Sequence, residues 1–400
     1  MRKLGSGMFL AVFALMFFAG CGKGLFPETG GGIESAVRET AAQAGGTAGR
    51  EKDRMKNLTA QAVAAEMKLG WNLGNTLDCT SATLLKTSRP EKWETAWGNP
   101  VTTQELIRKV TEAGFNVIRI PVSWNDHILV SEDYQIEESW MERVREVVDY
   151  AYRQGVYVIV NAHHESWYDP YYDREERAAA MMEAVWRQIA DCFAEYDEHL
   201  IFEGMNEPRK VGTPQEWTGG DEEGWAVVNR LNRVFVETVR AGKGNNPDRI
   251  LMIPGYGANA GKALFHLEVP EDSRLIVSVH AYEPYDFALN VQGRGQWNED
   301  TDEIDAVMKR IDELFVSKGI PVVIGEFGAM SKPADGNEEE RAAWARYYTA
   351  AARKIGVPCI WWDNGVLEGE GESFGLLDRT TYEWRYPLVL EGLREGSAGN

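Results

Sequence analysis

The chain has 400 residues, 44% of them hydrophobic, and 42 basic against 62 acidic side chains give a net charge of -20. Such an excess of acid repels a phosphate backbone or an anionic lipid surface, which excludes nucleic acid as a partner. A neutral polymer meets no such repulsion, and 14 Trp, 15 Tyr and 14 Phe supply flat apolar faces suited to sugar rings as well as to a core.

Residues 1 to 20 have the shape of an export signal: Arg2 and Lys3, an apolar run from Met8 to Phe18, then Ala19 and Gly20 before Cys21. The run is too short to span a bilayer comfortably. Its ending resembles the lipobox of bacterial lipoproteins, with Phe18 where Leu is usual, so Cys21 is expected to carry lipid. The expected location is the cell surface or periplasmic face, touching membrane only through Cys21; plain secretion is the alternative. Residues 21 to 55 are rich in Gly, Ala, Thr and charge and read as a flexible tether. One folded domain is then expected over 56 to 395, with a polar tail over 396 to 400. Cys79, Cys192 and Cys359 lack any C-x-x-C spacing, so no metal cluster is indicated, and buried free thiols are the reading for Cys192 and Cys359.

Within the domain, short β-branched runs alternate with longer helical patterns. The runs are Gly70 to Asn75, Val117 to Val122, Tyr157 to His163, Leu200 to Glu207, Ile250 to Tyr256, Leu275 to Tyr282, Pro321 to Gly328 and Pro358 to Asp363. Helices are predicted over Thr102 to Ala113, Glu138 to Arg153, Glu175 to Glu195, Glu223 to Arg240, Asp302 to Lys318 and Glu338 to Lys354, and the fifth connection is the weakest. Eight parallel strands without a Gly-rich phosphate loop fit an α/β fold of the closed (β/α)8 TIM barrel kind, whose chemistry belongs at the C-terminal strand ends.

Polar residues do gather there. Asn75, Arg119, His163, Asn206 with Glu207, His280 with Tyr282, Glu326, and Trp362 with Asp363 each close a different run. Glu207 and Glu326 are carboxylates following buried strands, and each alone could be an ion-pair partner of Arg119; two carboxylates with one evident cation ask for another purpose. Glycoside hydrolysis supplies it, with one carboxyl protonated to donate to the leaving oxygen and the other ionised to attack, roughly 5 Å apart in a retaining enzyme.

The motifs Gly70-Trp-Asn-Leu-Gly-Asn-Thr-Leu-Asp78, Asn116-Val-Ile-Arg-Ile-Pro-Val-Ser-Trp124, Asn161-Ala-His-His-Glu165, Glu203-Gly-Met-Asn-Glu-Pro208, His280-Ala-Tyr282, Gly325-Glu-Phe-Gly328 and Trp361-Trp-Asp-Asn-Gly365 come in an order that resembles glycoside hydrolase family 5, and within it the bacterial endoglucanases of subfamily 4. The resemblance implies a retaining endo-β-1,4-glucanase that needs no cofactor and cleaves cellulose, mixed-linkage glucan or xyloglucan as a monomer. It assigns Glu207 as acid/base, Glu326 as nucleophile, Asn206 to the sugar 2-hydroxyl, Arg119 and Tyr282 to the nucleophile, His280 to the acid/base, and Trp362 as the sugar platform with Asp363 at its polar edge. Asn75, His163, His164, Trp124 and His127 are expected subsite contacts, with Trp97 and Trp297 as outer candidates. The aromatic run from Trp167 to Tyr172 is read either as a cleft wall or as a self-packed loop. The rivals are a zinc site on His163, His164 and Glu165, which lacks the helical i, i+4 pair, a β-mannanase on the same scaffold, and a non-catalytic glycan-binding lipoprotein.

Overall fold

The computed structural model describes residues 55–129, 133–332 and 336–399. The expected export signal, the lipidated Cys21 and nearly all of the tether lie outside these residues. Eight strands form the barrel: β1 (Leu69–Leu73), β2 (Val117–Ile120), β3 (Tyr157–Asn161), β4 (Leu200–Glu203), β5 (Leu251–Asn259), β6 (Leu275–His280), β7 (Val322–Phe327) and β8 (Cys359–Asp363). Each pairs in parallel with its neighbours in sequence, and β8 returns to pair with β1, closing a (β/α)8 barrel.

The longer helices packed around this barrel are α1 (Ala60–Glu66), α2 (Gln104–Glu112), α3 (Glu138–Tyr152), α4 (Glu175–Cys192), α5 (Glu222–Arg240), α6 (Asp302–Leu314), α7 (Glu338–Lys354) and α8 (Pro387–Ala398). Local chemistry sets their ends. The Thr103 hydroxyl accepts from the Leu106 N–H to start α2, and the Asp221 carboxylate accepts from the Gly224 N–H to start α5. Three glutamates open α7 and Arg353 with Lys354 close it, matching the charge of the peptide dipoles. As expected, the fifth connection is the weak one, a short 3-10 segment over Lys262–His266.

Two stretches differ from expectation at the ends of the domain. The polar tail is folded into α8, where Gly396 and Ser397 are buried. A Cβ on Gly396 would lie 2.2 Å from the Arg346 carbonyl, so only glycine allows α8 this close to α7. Segment α1, not read as an element from sequence, lies across the barrel base, with Ala60 and Val63 packed on Val117, Ile159, Ile201, Ile276, Val323 and Ile360. Those residues mark the inward face of six of the eight strands. Two positions further along, the same face carries Arg119, Asn161, Glu203, Ser278 and Trp362, joined from β1 by Asn72, because side chains alternate with period two. The interior is therefore apolar at its base and polar just beneath the mouth.

Candidate active site

The polar layer is organised by Arg119, which is fully buried. Its Nε donates to Glu203 at 2.8 Å, one terminal nitrogen donates to Asn72 at 2.9 Å and to Glu326 at 2.7 Å, and the other donates to Asn206 at 2.7 Å. Glu203, equally buried, also accepts from Ser278 Oγ at 2.5 Å and Asn161 Nδ2 at 3.1 Å. One guanidinium is thus shared between two carboxylates, and planar fork geometry lets it fix both. Glu203 is the second carboxylate on this cation, one that the balance of Glu207 and Glu326 against Arg119 leaves out.

Above this layer stand Glu207 and Glu326, joined through His280. His280 Nδ1 lies 2.7 Å from Glu207 Oε1 and 3.7 Å from Glu326 Oε2, and one oxygen of each carboxylate lies within 4.8 Å of the other. Tyr282 donates its hydroxyl to Glu326 at 3.0 Å. Burial pushes Glu326 up, against the opposing charges of His280 and Arg119, and its carboxyl stays above the ordinary range. At Glu207 burial also pushes up, but the hydrogen bond and charge of His280, helped by Arg209 and His164, bring the carboxyl below that range. His280 is raised correspondingly: burial disfavours its charge, and Glu326 and Glu207 more than restore it. His280 Nδ1 and Glu207 thus share one hydrogen bond at 2.7 Å, a direct path for a proton between them.

Around this centre the side walls are built from the strand-end loops. Trp362, mostly buried beneath the mouth, lies parallel to the His163 ring at 5.7 Å, and His164 stands edge-on to His163 at 4.4 Å. Strand β3 ends at Asn161, and the bend beyond it brings both histidines to the same rim. A Cβ at Gly74 would meet the Trp362 ring and the Asp363 carbonyl at 2.9 Å, so the bare backbone there sets the platform's depth. Asn75 is half-buried beside it, with φ of 53° held by the Asp78 carboxylate, which accepts from its N–H. Trp97 is 40% exposed and tilted against His164, so it keeps its candidacy for an outer position.

Other expected contacts are not in the cleft. Trp124 is fully buried and donates its indole N–H to the Asn161 carbonyl, so it braces the strand end. His127 is packed between Trp140, stacked at 3.9 Å, and Trp93, edge-on at 5.0 Å, with Nδ1 on Glu137; it is a core residue whose charge burial suppresses. Asp363 is fully buried, paired with Arg379 at 3.0 Å and accepting from the Gly365, Leu376 and Leu377 N–H groups, so it holds the loop after β8. Trp297 is buried against Tyr347. Each lies near a strand end in sequence, yet its side chain turns into the loop packing.

Glu165 is likewise committed elsewhere, accepting from the Trp124 N–H and the Trp167 indole at 2.5 Å each, with burial pushing its carboxyl up to about 8. That removes the third ligand of the zinc reading. Trp167 and Tyr168 are buried, whereas Tyr172 is exposed, so the aromatic loop is mainly self-packed. All three described cysteines are free, with Cys79 and Cys359 buried and Cys192 only half-buried.

A family model described as Cellulase (glycosyl hydrolase family 5) matches residues 82–367. Endoglucanase B of Neocallimastix patriciarum is 50% identical over 348 residues, covering 86% of this chain and 72% of that protein. Among solved structures, a broad-specificity endoglucanase of subfamily GH5-4 from Ruminococcus champanellensis with bound cellotriose has a TM-score of 0.82 at 45% identity, covering 84% of this chain and 98% of that one. A xyloglucan-specific endo-β-1,4-glucanase of family GH5 from a metagenomic library, in complex with cellotriose, has a TM-score of 0.79 at 39% identity, covering 84% and 98%.

Proposed function

The chain belongs to glycosyl hydrolase family 5 and is an endo-β-1,4-glucanase of cellulose, mixed-linkage glucan or xyloglucan, and on that premise we propose that Glu326 is the nucleophile and Glu207 the acid/base of a retaining double displacement. The observation that carries the proposal is that one oxygen of each carboxylate lies within 4.8 Å of the other, the close spacing of a retaining pair and not the wider one of an inverting pair. Glu326 attacks the anomeric carbon while Glu207 protonates the departing oxygen; Glu207 then takes a proton from the water that releases the glycosyl group. Arg119 and Tyr282 each bind one oxygen of Glu326 and fix its direction of attack. Arg119 also occupies Asn206 Oδ1, which leaves the amide N–H2 free to donate to the sugar 2-hydroxyl. A neutral sugar entering the cleft displaces water and disfavours the His280–Glu207 ion pair, so the proton moves along their hydrogen bond and Glu207 becomes the acid.

Parallel assays on cellulose, mixed-linkage glucan, xyloglucan and glucomannan test this reading, with the anomer of the first product followed by proton NMR. Internal cleavage of the β-glucans with β-anomer formed first is the expected result. An α-anomer as first product overturns the double displacement, and faster cleavage of glucomannan than of every glucan overturns the specificity.

Glu203 touches no reacting atom in this scheme and acts as a positioning residue through Arg119. In Glu203→Gln the cation is left to Glu326 alone, which favours the ionised nucleophile. The acid-side fall of kcat/KM is therefore expected to move to lower pH, while kcat at the optimum drops about tenfold or more from lost alignment. A lower kcat with the acid limb unmoved would reduce Glu203 to a structural strut.

A further inference from the structure

We propose that the two terminal nitrogens of Arg341 form a buried site for a small monovalent anion of the halide class, set between the start of α7 and the loops after β7 and β8. Arg341 stands in the first turns of α7 and is completely buried. Its Nε donates to the Ala329 carbonyl at 2.9 Å, and its Cζ lies 4.5 Å from the centroid of the Tyr386 ring. Among the described residues neither terminal nitrogen has an acceptor, although both are shut off from solvent. Those two atoms carry most of the donors that a guanidinium owns.

The carboxylates nearby are already engaged. Asp363, fully buried, binds Arg379 at 3.0 Å and accepts from the Gly365, Leu376 and Leu377 N–H groups. Glu338 accepts from the Leu388 N–H at 3.2 Å. Arg379 is itself buried, and among the described residues its Nε has no acceptor. Two buried guanidiniums thus stand against one fully buried carboxylate. Tyr386 is also the residue from which α8 starts, so the positive end of that helix adds to the same region.

Burial pushes the Arg341 guanidinium down, against the opposing pull of Tyr386, Glu338 and Asp363, yet an arginine keeps its charge at neutral pH. An uncompensated charge away from solvent is costly. Water could meet the N–H donors but brings no charge, whereas a small anion supplies both. Two nitrogens of one planar fork offer a single bidentate position. Complete enclosure favours compact, weakly hydrated ions, of which chloride and bromide are the simplest.

The fork is held in place. The Tyr386 hydroxyl donates to the Leu367 carbonyl at 2.8 Å and lies 3.0 Å from Ser331 Oγ, so the ring beneath Arg341 ties the loop after β8 to the loop after β7. Ala329 follows Glu326 by three residues, and its neighbour Met330 packs against Trp362 and Phe374. An anion on Arg341 therefore braces, from outside, the wall that carries the sugar platform.

The test holds the whole chain at constant ionic strength while sodium gluconate, whose anion is too bulky for an enclosed site, is replaced by sodium chloride. The midpoint of thermal unfolding is expected to rise along a saturating curve by about 3 °C or more, and bromide should act likewise. Equal midpoints in chloride and gluconate overturn the proposal. Arg341→Met keeps much of the side-chain volume without the charge, and in it the chloride response should vanish; a full response in that variant overturns the site. Should Arg341→Met not fold, crystals of the parental chain grown in bromide decide the matter. Anomalous signal at the bromine edge is expected beside both terminal nitrogens of Arg341, and its absence there overturns the assignment.

Discussion

Replacing Glu326 by Ala is expected to cut turnover of β-1,4-glucan at least about a thousandfold, with the folded state retained. The loss follows from chemistry that its neighbours do not replace: Glu207 is engaged with His280, and Glu203 is sunk in the layer below. The fold should survive because Arg119 keeps its pairing with Glu203, so the deletion strands no buried cation. It also removes a carboxyl that burial had pushed above its ordinary range, which relieves a desolvation cost. Adding azide should partly restore turnover and give the α-azide, since the small anion attacks from the face that Glu326 has vacated. Near-parental rates without azide would discard Glu326 as nucleophile.

Glu207→Ala carries the second large effect, again a loss of at least about a thousandfold on glucan. Its signature differs. A glycosidic oxygen departs poorly without a proton, whereas fluoride departs readily, so kcat/KM for β-cellobiosyl fluoride should fall far less. Release of the glycosyl group then becomes slow because water loses its base, and azide, which needs none, should accelerate it and yield the β-azide. His280 cannot stand in directly, since its Nδ1 is placed to serve Glu207 and sits 3.7 Å from Glu326. If glucan and fluoride suffer alike and azide does nothing, Glu207 is not the acid/base.

Much of this was legible in the amino-acid order because the barrel repeats one rule. Apolar runs with β-branched residues gave all eight strands to within a few residues, and the run ends pointed to the mouth. The exception was β4, where pairing stops at Glu203 and the four residues to Glu207 continue as loop. Less legible was the layer beneath the mouth. Its members follow by parity once one inward residue is known: Ile201 faces inward, so Glu203 does, and Ile276 likewise gives Ser278. Without that first register mark, Glu203 reads as one more strand-end acid.

The errors share one physical cause. Trp124, His127 and Asp363 stand within a few residues of the proposed site groups, and sequence distance does not say whether a loop side chain faces the cleft or folds under it. Tertiary packing decided that, with two tryptophans enclosing His127 and Arg379 claiming Asp363.

The helix that stoppers the barrel base gives the charged layer insulation as well as support. With Ala60 and Val63 sealing one end, bulk water can screen Arg119 and Glu203 only from the mouth, and a sugar chain lying across the mouth shuts that route too. Small displacements among these groups are then felt at nearly full electrostatic strength while the bond is being cut. A leak at the far end, roughly ten ångströms or more from the substrate by the rise of the strands, would be expected to register as a change in acidity at the cleavage point and not as a change in shape.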